Sequence, residues 1–184
     1  MTNDDRTNIG GRAQSTRRAY HIFIASKSQA DTGDGFDPVW MPEFLFDFQA
    51  SLVEWALRKG RAAIFADCGM GKTAIQLTWA ENVARKTNRP VLVLTPLAVG
   101  AQTVAEAHKF GIEATRSNGD AVRGICVTNY ERLHHFNPDD FAGVVCDESS
   151  ILKNFDGTTK DAVTEFMRRM PYRLLCTATA ASNV

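Results

Sequence analysis

Apolar and polar positions follow two rhythms along this chain. Short runs dense in Val, Leu, Ile and Cys fall at 62–66 (AAIFA), 91–95 (VLVLT), 125–128 (ICVT), 143–147 (GVVCD) and 173–177 (RLLCT). Each is too short for a stable helix and its apolar residues do not alternate with polar ones, which predicts strands buried on both faces. Between them, 46–59 (FDFQASLVEWALRK), 72–86, 100–110 and 157–169 repeat apolar residues at the helical period and predict four helices. Strands alternating with helices imply an α/β fold, a mostly parallel sheet with helices on both faces.

The ends of the chain break this rhythm. Residues 1–19 hold almost no apolar side chains and are expected to form a flexible tail, followed by a short strand at Tyr20–Ile24 (YHIFI) and a Gly/Asp-rich loop. Ordered structure is expected to start near Tyr20 or Pro38, giving one lobe over 20–184 with no internal repeat. A chain of 184 residues that is 44% hydrophobic suffices for one domain with its own core. Its formal net charge is zero, so a polyanionic partner would have to be met by a local patch.

Cys68, Cys126, Cys146 and Cys176 form no CxxC pair, which argues against a zinc site or a disulfide framework. The last three lie in apolar runs and are expected to be buried thiols. His134 and His135 have no cysteine nearby and are not expected to bind metal. Trp40, Trp55 and Trp79 are read as packing aromatics rather than base-stacking platforms. No apolar run approaches the roughly 20 residues that cross a bilayer, and no signal-type run opens the chain. A cytoplasmic protein without a membrane partner is therefore expected.

The segment Ala66–Thr73, ADCGMGKT, lies between a predicted strand and a predicted helix. That is the setting of a phosphate-binding loop, whose backbone N–H groups surround an anion at a helix N-terminus. Cys68, Gly69, Met70, Gly71, Lys72, Thr73 and Ala74 would form the cradle. Lys72 would reach the β- and γ-phosphates of ATP, and the Thr73 hydroxyl would ligate Mg²⁺. Cys68 lies in this loop near a helix N-terminus, which would lower its pKa and make it sensitive to alkylation, although an inert, packed thiol is the plainer reading. A second acidic site is needed, and Val144-Val145-Cys146-Asp147-Glu148 supplies one at a strand's carboxyl end. There Asp147 would hold Mg²⁺ through water and Glu148 would polarise the attacking water, giving catalytic residues Lys72, Asp147 and Glu148.

With these segments in place, Phe46 to Asn183 resembles the amino-terminal RecA-like lobe of superfamily 2 helicase-like ATPases, nearest to the Swi/Snf branch. Phe48-Gln49, 23 residues before Lys72, resembles the adenine-reading motif, which would assign Gln49 to the base. VLTPL at 93–97 and VTNYE at 127–131 are similar to segments that meet nucleic acid, which would place Thr95, Pro96, Asn129 and Tyr130 against phosphates and sugars. DESSILKN at 147–154 and RLLCTATA at 173–180 resemble the second and third motor motifs. The resemblance implies that Thr177 and Thr179 couple nucleotide state to the nucleic-acid face.

This chain departs from the family pattern at Ser149-Ser150, where the family has Ala-His, and at Ala178 and Ala180. The variant looks like phage and prophage helicases, which implies a host-cytoplasmic location if the chain is phage-encoded. The sequence ends just after the third motif, so a second RecA-like lobe is expected to be absent here and to be supplied in cis or trans. Without that lobe's arginine finger, hydrolysis is expected to be near basal. The basic clusters Arg17-Arg18, Arg58-Lys59-Arg61, Arg85-Lys86-Arg89 and Arg168-Arg169 are read as solvated faces. The leading expectation is an ATP-binding motor lobe of a DNA-dependent helicase or translocase. The alternatives are a nucleotide- or DNA-binding module that works with a partner without turnover, and a small P-loop kinase, which neither TNYE nor LKN supports.

Overall fold

A computed structural model describes residues 34–67, 69–120, 122–153 and 157–178. The expected tail over 1–19, the expected strand Tyr20–Ile24, and Cys68, Asn154 and Thr179 lie outside the described residues.

Helix α1 (Asp47–Lys59) leads into β1 (Arg61–Phe65), α2 (Lys72–Thr87), β2 (Val91–Thr95), α3 (Gly100–Lys109) and β3 (Ala114–Arg116). Strand β4 (Ile125–Asn129) is followed by 3-10 turns at Tyr130–His135 and Pro138–Asp140, and then β5 (Gly143–Cys146). A further 3-10 turn at Ser149–Lys153 precedes α4 (Gly157–Arg169) and β6 (Tyr172–Thr177). The six strands form one parallel sheet in the order β1-β6-β5-β2-β4-β3. This is the predicted α/β class, in a RecA-like arrangement.

Local chemistry sets the element ends. Gly60 at φ +69° closes α1, its N–H donating to the carbonyls of Ala56 and Leu57. Asn88 ends α2 in the left-handed region, and Pro90 then leads into β2. The short runs become doubly buried strands: all five residues of β2 and all five of β4 are buried. Alternation divides them between two cores. Val91 and Val93 face Val53, Leu57, Ile75, Trp79 and Val83 of α1 and α2, with Ala107 of α3, while Leu92 and Leu94 face Leu133, Phe141, Val163 and Phe166 on the α4 side.

Strand β3 was not foreseen from the sequence. ATR is three residues long with two of them exposed, so it carries no apolar run, and its pairing with β4 creates it. As expected, Cys126, Cys146 and Cys176 are buried, and Trp79 is fully buried while Trp40 and Trp55 pack on the core rim. Burial pushes the Cys146 and Cys176 thiols up to about 12, which leaves them unreactive. The basic clusters within the described residues sit in surface ion pairs: Arg58 with Glu54 and Asp37 at 2.8 Å each, Arg85 with Glu81 at 2.7 Å and Arg169 with Asp139 at 2.5 Å. Such pairs contribute little to stability. No described helix is long and apolar enough to cross a membrane.

Candidate active site

Strand β1 is an edge strand, β2 lies fourth in the sheet, and α2 connects them by passing over β6 and β5. This crossover puts the N-terminus of α2 at the carboxyl edge beside the ends of β5 and β6, the place where open parallel sheets bind ligands. The loop after β1 begins as an extension of the ladder, with the Ala66 N–H donating to the Thr177 carbonyl at 3.1 Å. It then turns through Gly69 (φ +83°) and Gly71 (φ +72°), conformations that only glycine adopts without strain. Gly71 is the N-cap of α2 and offers no side-chain cap, so among the described residues the first-turn N–H groups of Lys72, Thr73 and Ala74 are left for another acceptor. Lys72 curls back over the loop, donating to the Ala66 carbonyl at 3.0 Å and the Asp67 carbonyl at 3.5 Å. An uncapped helix N-terminus, two left-handed glycines and a lysine closing the ring form a cradle that fits a polyphosphate.

The loop is braced from α1. The Gln49 side chain donates to the Met70 carbonyl at 3.0 Å and accepts from the Phe46 N–H at 3.0 Å. A Cβ on Gly71 would fall 2.3 Å from Gln49 Nε2. Gly71→Ala should therefore cost about 2 kcal/mol or more, combining left-handed strain with loss of the Gln49 brace. Gly69→Ala is the control, since its new Cβ meets nothing within 4 Å and bears the backbone strain alone. Comparing the urea midpoints of the two variants tests this, and equal shifts would count against the brace.

The acidic pair is held in two different ways. The Asp147 N–H donates to the Leu94 carbonyl at 2.8 Å and its carbonyl accepts from the Tyr130 hydroxyl at 2.6 Å, fixing the backbone to neighbouring strand ends. Its carboxylate takes a 2.6 Å hydrogen bond from Gln76 Nε2. Burial raises the Asp147 pKa, opposed by the Gln76 amide. Glu148 has φ +48°, rare for a residue with a side chain. Its Oε1 accepts from the Ser150 hydroxyl at 2.5 Å and the Thr177 hydroxyl at 2.9 Å, and the Ser150 bond leads in lowering its pKa.

The remaining sequence candidates divide by location. Thr177 joins the acidic pair directly. Thr95 is buried, its hydroxyl donating to the Thr128 carbonyl at 3.4 Å, and Pro96 is half-buried just beyond. Asn129 is buried, and its Oδ1 has no hydrogen-bond partner among the described residues. Tyr130 is 2% exposed and its hydroxyl is engaged by Asp147, so the structure places it as a brace inside the sheet edge. Gln76 was missed. Its one legible signal was a polar residue four positions after Lys72, on the same face of an otherwise apolar helical stretch.

These features define a RecA-like α/β lobe in which the glycine-bearing loop before α2 faces a carboxylate pair. Solved structures share the fold. The SWI2/SNF2 ATPase core of Sulfolobus solfataricus in complex with dsDNA matches with TM-score 0.60 and 24% identity over 72% of this chain. The UvsW helicase from bacteriophage T4 matches with TM-score 0.61 and 13% identity over 89%. A nuclease-deletion mutant of the Type ISP restriction-modification enzyme LlaGI, in complex with a DNA substrate mimic, matches with TM-score 0.57 and 17% identity over 77%. This chain spans 31%, 60% and 18% of those three chains, respectively. The fold is thus that of helicase-type ATPase cores. No protein-family model and no curated protein matches the sequence.

Proposed function

We propose that this chain is an ATP-binding motor lobe of a DNA-dependent helicase or translocase, related to the Swi/Snf branch and of phage type. The observation that carries this reading is the meeting at one sheet edge of the Gly69–Ala74 cradle, the Asp147–Glu148 pair and Thr177, the last joined to Glu148 by a 2.9 Å hydrogen bond. A binding module without turnover has no need for a carboxylate tied to the strand that follows it.

In this reading the α2 N–H groups and Lys72 bind the triphosphate, and Gln49, buried with its amide bonded to Phe46 and Met70, would meet the adenine only by exchanging one of those bonds for the base. Phe46, 69% exposed at the start of α1, offers an aromatic face beside that glutamine. Mg²⁺ held by Thr73 and, through water, by Asp147 would neutralise charge developing on the phosphates. Glu148 orients the attacking water once the hydroxyls of Ser150 and Thr177 release it. Ser150 stands at the family's histidine position, so in this chain Glu148 itself links the second and third motifs.

Pro96, half-buried just beyond β2, lies along the same edge and would meet a DNA backbone, a contact that should weaken with salt, whereas Thr95 and Asn129 are buried behind it and would have to be uncovered first. The two DNA-bound structural neighbours support DNA as the partner. Phe46, Phe65, Met70 and Leu97 are all exposed around this edge, by 69%, 63%, 42% and 62%. That much apolar surface supports a covering partner, for which a second RecA-like lobe is the proposal.

Glu148→Gln tests the assignment. It should leave Mg-ATP affinity intact and abolish DNA-stimulated phosphate release, measured in the motor containing both lobes. If the variant also loses ATP, the role given to Glu148 is wrong. If wild-type protein binds ATP and DNA yet releases no phosphate with a second lobe present, the binding-module reading replaces this one.

A further inference from the structure

Gln76 stands in a place where the core calls for an apolar side chain. It is 1% exposed, and its helix neighbours Ile75, Leu77 and Val83 are 0% exposed. Burying an amide costs free energy unless its polar atoms are paired. Here the pairing is specific: Nε2 donates to Asp147 Oδ1 at 2.6 Å, and the amide also faces the Cys176 thiol on β6. Gln76 follows Lys72 by four residues and Thr73 by three, so all three share one face of α2. The helix that carries the phosphate cradle therefore also holds the carboxylate across from it.

We propose that Gln76 is a positioning residue for metal binding, which fixes Asp147 Oδ1 and so leaves Oδ2 as the oxygen available to the water shell of Mg²⁺. This rests on the nucleotide-site reading above. The Asp147 backbone is already pinned by Leu94 and Tyr130, and its side chain keeps two rotatable bonds that those contacts do not restrain. The Gln76 amide restrains them. Groups that orient a metal-holding carboxylate in this way typically change metal affinity by about 10- to 100-fold when removed. The same bond ties α2 to β5, so the cradle and the metal carboxylate stay in a constant relation when either moves.

The test is calorimetric titration of the whole chain with ATP, once in Mg²⁺ and once in EDTA, for wild type, Lys72→Ala and Gln76→Met. Methionine keeps the length and removes the donor. The expected result is an unchanged affinity in EDTA and a loss of about tenfold or more in the gain that Mg²⁺ provides. A purely structural role would lower both affinities together. A folded Gln76→Met chain that keeps the full Mg²⁺ gain overturns the proposal. Absence of ATP binding by wild type, or wild-type affinity in Lys72→Ala, overturns instead the nucleotide-site reading beneath it. Should Gln76→Met fail to fold, the wild-type chain still decides the matter by NMR. Its Gln76 side-chain amide signal should shift when Mg²⁺ is added to the ATP-bound protein, and an unmoved signal rejects the role.

Discussion

Lys72→Ala should abolish measurable ATP binding by this chain while leaving its fold intact. The ammonium closes the loop by donating to the carbonyls of Ala66 and Asp67, contacts that water can replace once the side chain is shortened. Its charge also partly opposes the burial that raises the Asp147 pKa, and adds to the Ser150 hydrogen bond that leads in lowering that of Glu148. A triphosphate in the cradle would take over that charge. Each charge-assisted hydrogen bond from lysine contributes about 1.5–3 kcal/mol, so losing two corresponds to a drop on the order of 10²- to 10⁴-fold in affinity. Calorimetry with Mg-ATP measures it directly, and thermal unfolding checks the fold. An unchanged affinity would mean that the loop after β1 is an ordinary turn, and every assignment built on it would fall.

Asn82→Ala should be the most destabilising single polar substitution described here. Asn82 is fully buried in α2, and all its amide capacity is in use. Oδ1 accepts from the N–H groups of Val39 and Trp40 at 2.9 Å each, while Nδ2 donates to the carbonyls of Trp40 at 2.7 Å and Thr78 at 2.8 Å. Alanine would leave three backbone groups of the part-buried 39–40 segment without their partner, next to the Trp40 ring that Arg85 covers at 4.6 Å. An unsatisfied buried group costs about 1–3 kcal/mol, less where water can reach it, so a loss of roughly 2–4 kcal/mol is expected, lowering the unfolding temperature by about 5–10 °C. Circular dichroism melts measure this. A shift of only a degree or two would show that solvent reaches those groups and that the clip is superficial.

The two substitutions differ in how visible they were beforehand. Lys72 belongs to a contiguous segment whose spacing suggests the role proposed for it: strand, glycines, lysine, hydroxyl, helix. Asp147 and Glu148 were equally legible, because an apolar run ending in two acids is a local pattern. Asn82 was not, because its partners lie 42 and 43 residues earlier in a segment with no periodicity to announce it. Tyr130 differs in another way. Its motif-like setting pointed outward to a nucleic acid, yet the phenol turns inward to the Asp147 carbonyl. Ser150 was noticed as a departure from a family pattern, but its bond to Glu148 depends on the left-handed turn at that glutamate, which no neighbouring residue type required.

What the sequence determined by itself was the set of elements and the chemistry at their ends. Among the described residues, five of the six strands show as short apolar runs and all four helices as helical periodicity, and the candidate site residues sit where one element gives way to the next. Tertiary structure decided which ends meet. The order β1-β6-β5-β2-β4-β3 returns the last strands to the side of the first, so that residues 72, 147 and 177 converge although long stretches of chain separate them. That order arises from the packing of α2 across β5 and β6, and the hydrogen bonds from Gln76 to Asp147 and from Thr177 to Glu148 exist only once it is complete. Local pattern is set by short-range sterics and burial of each segment's own apolar face. Convergence is set by how those faces share two common cores, a property of the whole chain that no single segment encodes.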